Sequence, residues 1–340
     1  VYCAGVKFQA DLYAGRNNTF VNMDMPAISF VVPLYNEAEI FPQLVERLKG
    51  AVDETVSVEF LLVDDGSSDG TADHIRTVCL SDPAFHGVFL SRNYGHQIAI
   101  SAGIHEARGT EALFILDGDL QDPPELFGAF YAKLKEGYDV VYAVREKRKE
   151  GWMKRMFYSA FYRIMRNLSY VRMPLDSGDF SLITRRVADV LKQMPEESRF
   201  VRGMRSWVGF RQTGLPYERD YRQGGQPKYG WMQLFRLAYN GIFNFSTLPI
   251  RFITRLGVLS ILISLIYVAV TIYRKLVFHD VPSGFTALLM AVALFGGVQL
   301  VSLGIIGEYV LRIFFQVKGR PLFLVKERIV EQKSENPATH

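Results

Sequence analysis

The last third of the chain contains two long apolar segments that constrain its fold more than any other sequence feature. Residues 256–272 and 285–307 carry no charged side chain. A helix of about 20 apolar residues is long enough to cross the ~30 Å hydrocarbon core of a bilayer. The pattern therefore predicts a transmembrane hairpin over residues 251–315, with spans at about 253–273 and 285–307. Two buried core helices are the alternative.

Basic residues around the two segments predict the orientation of the hairpin. Arg236, Arg251 and Arg255 precede the first span, while the connecting turn is preceded only by Arg274 and Lys275. After the second span come Arg312, Lys318, Arg320, Lys326 and Arg328. Lys and Arg are enriched on the cytoplasmic side of membrane spans. We therefore expect both ends of the chain in the cytoplasm, with residues 316–340 as a cytoplasmic tail.

Composition excludes some classes of protein. A formal net charge of +4 over 340 residues is too small to indicate a nucleic-acid partner. Cys3 and Cys79 are the only cysteines, so neither a disulfide framework nor a cysteine metal site is expected, and a reducing compartment is indicated. Residues 1–25 lack the pattern of a secretory signal and receive no assignment.

Residues 26–230 alternate between short apolar runs and helical stretches. The apolar runs predicted as strands are 28–32, 60–63, 87–90 and 112–116. Helices are predicted at about 39–52, from 67 towards 78, and at 98–107. This alternation is typical of an α/β domain with a mostly parallel, doubly wound sheet. Ligands of such sheets bind beyond the carboxyl ends of the strands.

An acidic turn, residues 117–122, follows the fourth predicted strand. Asp117 and Asp119 are separated by one residue, and Gln121 adds an amide oxygen. Such hard oxygen ligands suit Mg²⁺ or Mn²⁺. A metal there would neutralise charge on a departing nucleotide diphosphate. The alternative is an acidic turn that only caps the next helix.

Polar residues also follow the first two strands. Tyr35 could face a base, and Asp64 or Asp65 could accept a hydrogen bond from a base N–H or a ribose hydroxyl. No glycine-rich phosphate loop follows the first strand. A diphosphate held by a metal therefore fits better than a dinucleotide or ATP held by backbone amides.

These motifs, in this order, resemble the family-2 glycosyltransferases with a GT-A fold. Residues 91–97 (Ser-Arg-Asn-Tyr-Gly-His-Gln) and 117–124 (Asp-Gly-Asp-Leu-Gln-Asp-Pro-Pro) resemble the dolichol-phosphate mannose synthase-like branch. Residues 178–180, 199–209 and 296–309 resemble the bacterial GtrB-type polyprenyl-phosphate glucosyltransferases. The resemblance covers about residues 28–324.

The resemblance implies an inverting transfer of a hexose, with glucose favoured, from a UDP-sugar to undecaprenyl phosphate. It also implies a multi-pass protein of the bacterial cytoplasmic (inner) membrane that forms a homo-tetramer. The same scaffold serves GDP-mannose, UDP-N-acetyl sugars and UDP-aminoarabinose derivatives as donors. A separate flippase is expected, because one hairpin offers no polar path across the bilayer.

The resemblance also assigns roles to residues. Asp117 would contact ribose or diphosphate, and Asp119 and Gln121 would bind the metal, with Asp117 nearby as a further ligand. The acceptor phosphate would meet Arg145, Arg155 and Ser159. The nucleotide side of the donor would meet Pro33, Tyr35, Asn36, Glu37, Asp64, Asp65, Arg92, Asn93, Arg222 and Lys228.

Two further segments have the pattern of interfacial helices. Residues 145–166 combine eight basic residues with apolar residues at helical spacing, which suits the headgroup layer or a lipid phosphate. Residues 231–250 are rich in Phe, Leu and Tyr and lead into the first span. In each case the alternative is a helix packed on the soluble domain.

Asp176 and Asp179 form a second acidic turn, and Asp179 is included among the candidate catalytic residues. A phosphate monoester has a second pKa of about 6, so the acceptor is largely ionised without a strong base. We therefore expect both aspartates to order the sugar or the basic loop rather than to accept a proton. A processive polysaccharide synthase and a non-catalytic nucleotide or lipid receptor are the rival functions.

Overall fold

The computed structural model describes residues 25–53, 55–145, 177–197, 199–218, 248–278 and 284–335. These residues contain a nine-stranded sheet with the strand order β7-β5-β6-β4-β1-β2-β3-β8-β9. Its strands are β1 (Ile28–Leu34), β2 (Val58–Asp64), β3 (Phe85–Leu90), β4 (Ala112–Ile115), β5 (Val140–Arg145), β6 (Ser177–Thr184), β7 (Gln212–Tyr217), β8 (Val325–Val330) and β9 (Lys333–Glu335).

The centre of the sheet is parallel, as the sequence predicts. β1 pairs with both β2 and β4, and β2 pairs with β3. All seven residues of β1 are buried, which explains its largely apolar sequence. β1 also runs past the predicted end, through Pro33. Proline is tolerated there because the pairing with β4 ends at Val31, so no N–H is required on that side.

The sheet as a whole is mixed, which corrects the expectation of a mostly parallel one. Among the described residues, β4–β6, β5–β6, β3–β8 and β8–β9 are antiparallel pairs. β5 and β7 pair in parallel. Only the β1–β4 region follows the alternating pattern from which the parallel arrangement was predicted.

Helices cover both faces of the sheet. They are α1 (Phe41–Gly50), α2 (Thr71–Ser81), α3 (His96–Glu106), α4 (Phe127–Lys135), α5 (Arg185–Gln193) and α6 (Val201–Trp207). On one face, the Phe30 ring packs 5.1 Å from Phe114 and 4.9 Å from Phe127. On the other face, α3 lies so close to β1 that a Cβ at Gly103 would be 2.2 Å from Val31 Cγ1.

Two long helices follow, α7 (Leu248–Phe278) and α8 (Phe285–Val317). Each contains a segment long and apolar enough to cross a membrane, Phe252–Arg274 and Leu294–Val317, and neither segment is buried. The second segment lies further along the chain than the predicted span 285–307. Residues 248–250, predicted to end an interfacial helix, belong to α7. The rest of that predicted helix lies outside the described residues.

Part of the predicted tail, residues 316–340, pairs with the sheet in the described structure. β8 pairs antiparallel with β3 and adds an edge to the sheet. Arg328 reaches Glu106 on α3 at 2.6 Å, and Arg76 on α2 reaches Glu327 at 2.9 Å. The segment after α8 therefore folds onto the domain that contains the predicted site.

Candidate active site

The loops after β1 and β2 form one unit. The Asn36 N–H donates to Ser67 Oγ at 3.0 Å, and the Ser68 N–H donates to Asn36 Oδ1 at 2.8 Å. The Glu37 N–H donates to Thr71 Oγ1 at 2.9 Å. Asn36 has a left-handed φ of 54°, which asparagine tolerates better than most residues. Beside this unit the Tyr35 side chain is 39% exposed, so it can reach a ligand at this edge of the sheet.

Asp65 joins the loop after β3 to this unit. Its two carboxylate oxygens accept the N–H groups of Tyr94 at 2.7 Å and Gly95 at 2.9 Å. A Cβ at Gly66, which has a φ of +70°, would lie 2.6 Å from the backbone of Arg92. The Arg92 guanidinium stacks 4.2 Å from the Tyr94 ring. Asp65 thus fixes the loop that carries Arg92 and Asn93, and each of its oxygens retains a lone pair for a ligand.

Asp64 is buried beside Asp65 and is held locally. Its carboxylate accepts the Ser67 N–H at 3.2 Å. Burial raises the pKa of both Asp64 and Asp65, although the hydrogen bonds from the backbone oppose the shift. The two carboxylates therefore form a buried acidic pair at the predicted nucleotide side.

The acidic turn packs directly against the end of β1. A Cβ at Gly118 would lie 2.4 Å from Leu34 Cδ2 and 3.1 Å from the Pro33 carbonyl oxygen. Leu120 is buried with a left-handed φ of 59°. Asp119 Oδ1 accepts the Gln121 N–H at 3.2 Å. The turn is thus compact, and it carries the carboxylates of Asp117 and Asp119 at the carboxyl end of β4.

The acidic turn could hold a metal only together with a bound substrate that supplies further oxygen ligands. Across the described residues, no group of three or more His, Cys, Asp or Glu side chains is arranged to hold a metal ion. Asp117 and Asp119 supply two carboxylates, and Gln121 supplies an amide oxygen, all of the type that Mg²⁺ and Mn²⁺ accept. This donor set fits such a cation if the oxygens of a diphosphate complete it.

Asp179 lies at the start of β6 and forms a bidentate ion pair with Arg202. The Arg202 Nε and Nη2 donate to its two oxygens at 2.9 and 2.8 Å, and Gln97 Nε2 donates at 3.0 Å. Burial opposes the charge on Asp179, but Arg202 and His96 outweigh it and hold its pKa well below the usual range. An ionised carboxylate of low pKa is a weak base, in line with the ordering role predicted for Asp179.

His96 connects Asp179 to the acidic turn. Its Nε2 lies 3.3 Å from Asp117 Oδ1 and 3.4 Å from Asp179 Oδ2. Desolvation opposes a charge on His96, but the two carboxylates raise its pKa to about 9. The cationic imidazole therefore bridges two of the predicted site carboxylates.

Arg145 is the predicted acceptor residue that the structure describes. It ends β5, and its Nε donates to the Tyr217 hydroxyl at 3.3 Å. A Cβ at Gly178 would lie 3.4 Å from Arg145 Nη2, so the guanidinium is beside the residue that precedes Asp179. The other predicted residues Arg155, Ser159, Asp176, Arg222 and Lys228 lie outside the described residues.

Several residues at the carboxyl ends of the strands have no role predicted from the sequence. His96 and Gln97 begin the helix after the third strand, and that position was a usable signal. Arg202 and Tyr217 had no comparable signal. They reach Asp179 and Asp122 only because α6 and β7 pack beside strands that are distant in the sequence.

Comparison with known proteins identifies the family. The family described as Glycosyl transferase family 2 matches residues 29–191. An uncharacterized glycosyltransferase of Bacillus subtilis, YkcC, is 42% identical over 301 residues, covering 88% of this chain and 93% of that protein. The SfII prophage-derived bactoprenol glucosyl transferase of Shigella flexneri is 36% identical over 302 residues, covering 88% and 97%. A prophage bactoprenol glucosyl transferase homolog of Escherichia coli is 34% identical over 301 residues, covering 88% and 98%.

A match over 88% of the chain includes the acidic turn. The chain belongs to glycosyltransferase family 2. It is a glycosyltransferase with a GT-A fold, as the motifs after the strands predicted.

Proposed function

We propose that this glycosyltransferase moves a hexose, with glucose favoured, from a UDP-sugar onto undecaprenyl phosphate, with inversion at the anomeric carbon. The observation that carries the proposal is the meeting of the acidic turn, Asp179 and Arg145 at one edge of the sheet. Hydrogen bonds and close contacts connect all three. Relatives named as bactoprenol glucosyl transferases, which match 88% of the chain, support the lipid acceptor.

On the donor side, Tyr35 and the Asp64–Asp65 pair would contact the nucleotide. Asp119, Gln121 and Asp117 would hold Mg²⁺ or Mn²⁺ against the diphosphate. When bound, the cation would offset the negative charge that develops on the departing UDP. Arg222 and Lys228, two further predicted donor residues that lie outside the described residues, would contact the diphosphate.

On the acceptor side, Arg145 would bind the lipid phosphate, together with Arg155 and Ser159. The phosphate oxygen forms the new bond to the anomeric carbon as the bond to UDP breaks and its electron pair passes to the leaving diphosphate. Because the second pKa of a phosphate monoester is about 6, the nucleophile is ionised at neutral pH. The ion pair between Asp179 and Arg202 agrees with a reaction that needs no carboxylate base.

The two apolar helices support a location at the bacterial inner membrane, with the catalytic domain and both termini in the cytoplasm. Their exposed apolar side chains suit a bilayer or contacts between copies of the chain. Assembly as a homo-tetramer and reliance on a separate flippase are part of the same proposal.

The metal dependence can be tested with the purified full-length protein. We expect UDP release from UDP-glucose in the presence of undecaprenyl phosphate to stop after exhaustive chelation and to return with Mn²⁺ or Mg²⁺. Asp119→Ala should lower kcat/KM by at least about 100-fold, which is the scale of a lost electrostatic contact at a reacting diphosphate. Asp73→Ala, on the exposed side of α2, is the matched control and should retain activity.

Undiminished turnover after chelation, or in Asp119→Ala, would contradict the metal role. A panel of GDP-mannose, UDP-N-acetylglucosamine and a UDP-aminoarabinose derivative, scored by nucleotide release, would identify the donor. A non-catalytic receptor would bind a donor without releasing nucleotide from any of them.

A further inference from the structure

A short chain of side chains connects the acidic turn to Arg145. The Tyr217 hydroxyl, at the end of β7, donates to Asp122 Oδ1 at 2.7 Å. The Tyr217 hydroxyl oxygen in turn accepts a hydrogen bond from Arg145 Nε at 3.3 Å. Asp122 is the last residue of the acidic turn, so one tyrosine hydroxyl joins the predicted donor side to the predicted acceptor side.

The surroundings of Tyr217 fix the direction of these hydrogen bonds. Tyr217 is 5% exposed and Asp122 is 1% exposed. Burial and the neighbouring Asp122 raise the pKa of the Tyr217 phenol, which therefore keeps its proton and donates it to the carboxylate. Burial opposes the charge of Arg145, but Tyr217 and Asp122 outweigh it and raise the pKa of the guanidinium. Arg145 is thus a cation whose Nε is directed at a fixed oxygen.

The Tyr217 ring is held independently of its hydroxyl. It packs edge-on against Phe180 at 5.5 Å, and Phe180 in turn packs against Phe114 and Phe130 in the core. A phenylalanine at position 217 would keep this packing and remove only the oxygen. The positioning and the packing of Tyr217 can therefore be separated by experiment.

We propose that Tyr217 is a positioning residue that sets the Arg145 guanidinium at a defined distance from the acidic turn. This inference rests on the proposed function, in which Arg145 binds the acceptor phosphate. Arg145 projects from the last position of β5 and has several rotatable bonds. The Tyr217 hydroxyl restricts those rotations, and Asp122 ties the hydroxyl to the turn that holds the donor diphosphate. Transfer between two anions needs a fixed distance between Arg145 and the acidic turn, because small displacements of reacting groups lower rates steeply.

The test compares Tyr217→Phe with the wild-type full-length protein in mixed micelles, using UDP-glucose, Mn²⁺ and undecaprenyl phosphate. We expect the KM for undecaprenyl phosphate to rise roughly tenfold, the effect of one lost hydrogen bond to a charged network, while the KM for UDP-glucose changes less than about twofold. Tyr131→Phe is the matched control. Its hydroxyl also donates to a carboxylate, Glu111, at 3.0 Å, and its ring also packs on a phenylalanine, but it lies away from the site.

A second arm tests whether Tyr217 acts through Arg145. In an Arg145→Lys background, adding Tyr217→Phe should change the acceptor KM by less than about twofold, because the partner of the hydroxyl is already altered. If Tyr217→Phe does not fold, Asp122→Asn addresses the same connection and should also raise the acceptor KM more than the donor KM.

An unchanged acceptor KM, equal changes in the two KM values, or independent effects of the Tyr217 and Arg145 substitutions would overturn the inference. The proposed function would stand in each of those cases, since the wild-type protein would still transfer glucose to the lipid. Failure of the wild-type protein to do so would overturn the proposed function itself.

Discussion

Glu59 is buried near the amino ends of the central strands, whereas the site lies at their carboxyl ends. Its carboxylate accepts hydrogen bonds from Ser29 Oγ, from His86 Nδ1 at 2.9 Å, and from the N–H and Nε of Arg108 at 2.7 and 3.0 Å. Burial alone would raise the pKa of Glu59, but these donors outweigh it and lower the pKa to about 2. Arg108 also reaches Glu331 at 3.0 Å, so the cluster connects the core to the turn between β8 and β9.

The depressed pKa of Glu59 predicts an acid-sensitive contribution to stability. Because the folded pKa lies below the ordinary value of 4.5, the contribution is complete above pH 4.5 and is lost as the pH falls towards 2. Its size is on the order of 3 kcal/mol for a shift of this extent. We expect Glu59→Gln to melt at a lower temperature than wild type at pH 7, with the difference narrowing below pH 4.5.

Thermal unfolding in detergent, followed by circular dichroism from pH 7 to pH 3, measures that difference. Glu136→Gln, which removes an exposed ion pair with Lys133, is the control and should change the melting temperature little at any pH. A difference between Glu59→Gln and wild type that stays constant over the whole pH range would show that the titration of Glu59 does not contribute.

At the scale of elements, α1 supports the acidic turn through Arg47. The Arg47 Nε and Nη2 donate to the two carboxylate oxygens of Glu125 at 2.7 and 2.8 Å, and its Nη1 donates to the Leu120 carbonyl at 3.2 Å. Leu120 is the residue with left-handed φ between Asp119 and Gln121. One guanidinium therefore supports both the turn and the short 3-10 helix Pro124–Leu126 after it.

Replacing Arg47 by lysine tests this support, since an ammonium cannot make the bidentate contact and reach the carbonyl as well. We expect Arg47→Lys to raise the KM for UDP-glucose roughly fivefold at fixed Mn²⁺, the effect of about 1 kcal/mol of lost positioning. Binding of Mn²⁺ in the presence of UDP, followed by electron paramagnetic resonance, should weaken in parallel.

Arg76→Lys is the control for Arg47→Lys, because Arg76 makes similar contacts with Glu327 and Asp73 away from the acidic turn. The same donor KM in Arg47→Lys and wild type would contradict a positioning role. Equal effects in Arg47→Lys and Arg76→Lys would indicate a general loss of stability.

The elements that the sequence predicted well are those with local signals. The apolar runs of β1 to β4 and the two charge-free segments are readable without the fold, because their burial or their length is encoded in consecutive residues. β8 was missed because half of its residues are charged, in the sequence Val-Lys-Glu-Arg-Ile-Val. It also pairs with β3, a strand more than 230 residues earlier. Separation in sequence also hid the contact of Tyr217 with Asp122, 95 residues away, and that of Arg202 with Asp179, 23 residues away.

In the whole molecule, the part of the chain after α8 returns to the catalytic domain. Gln316, near the end of α8, accepts the Glu197 N–H at 3.0 Å, and β8 then pairs with β3. The bidentate pair between Arg328 and Glu106 adds a further contact. The carboxyl end of the proposed membrane anchor is thus followed, after a short linker, by β8. Backbone pairing and ion pairs join β8 to the rest of the sheet and its helices.

The most direct test of the account follows the sugar itself. Full-length protein in mixed micelles would be incubated with UDP-glucose carrying a radioactive glucose, Mn²⁺ and undecaprenyl phosphate, and then extracted with organic solvent. We expect the label to enter the lipid phase in proportion to the UDP released, to require the added lipid, and to be recovered as glucose after mild acid. UDP release without labelled lipid, or labelled lipid formed equally well by Asp119→Ala, would contradict it.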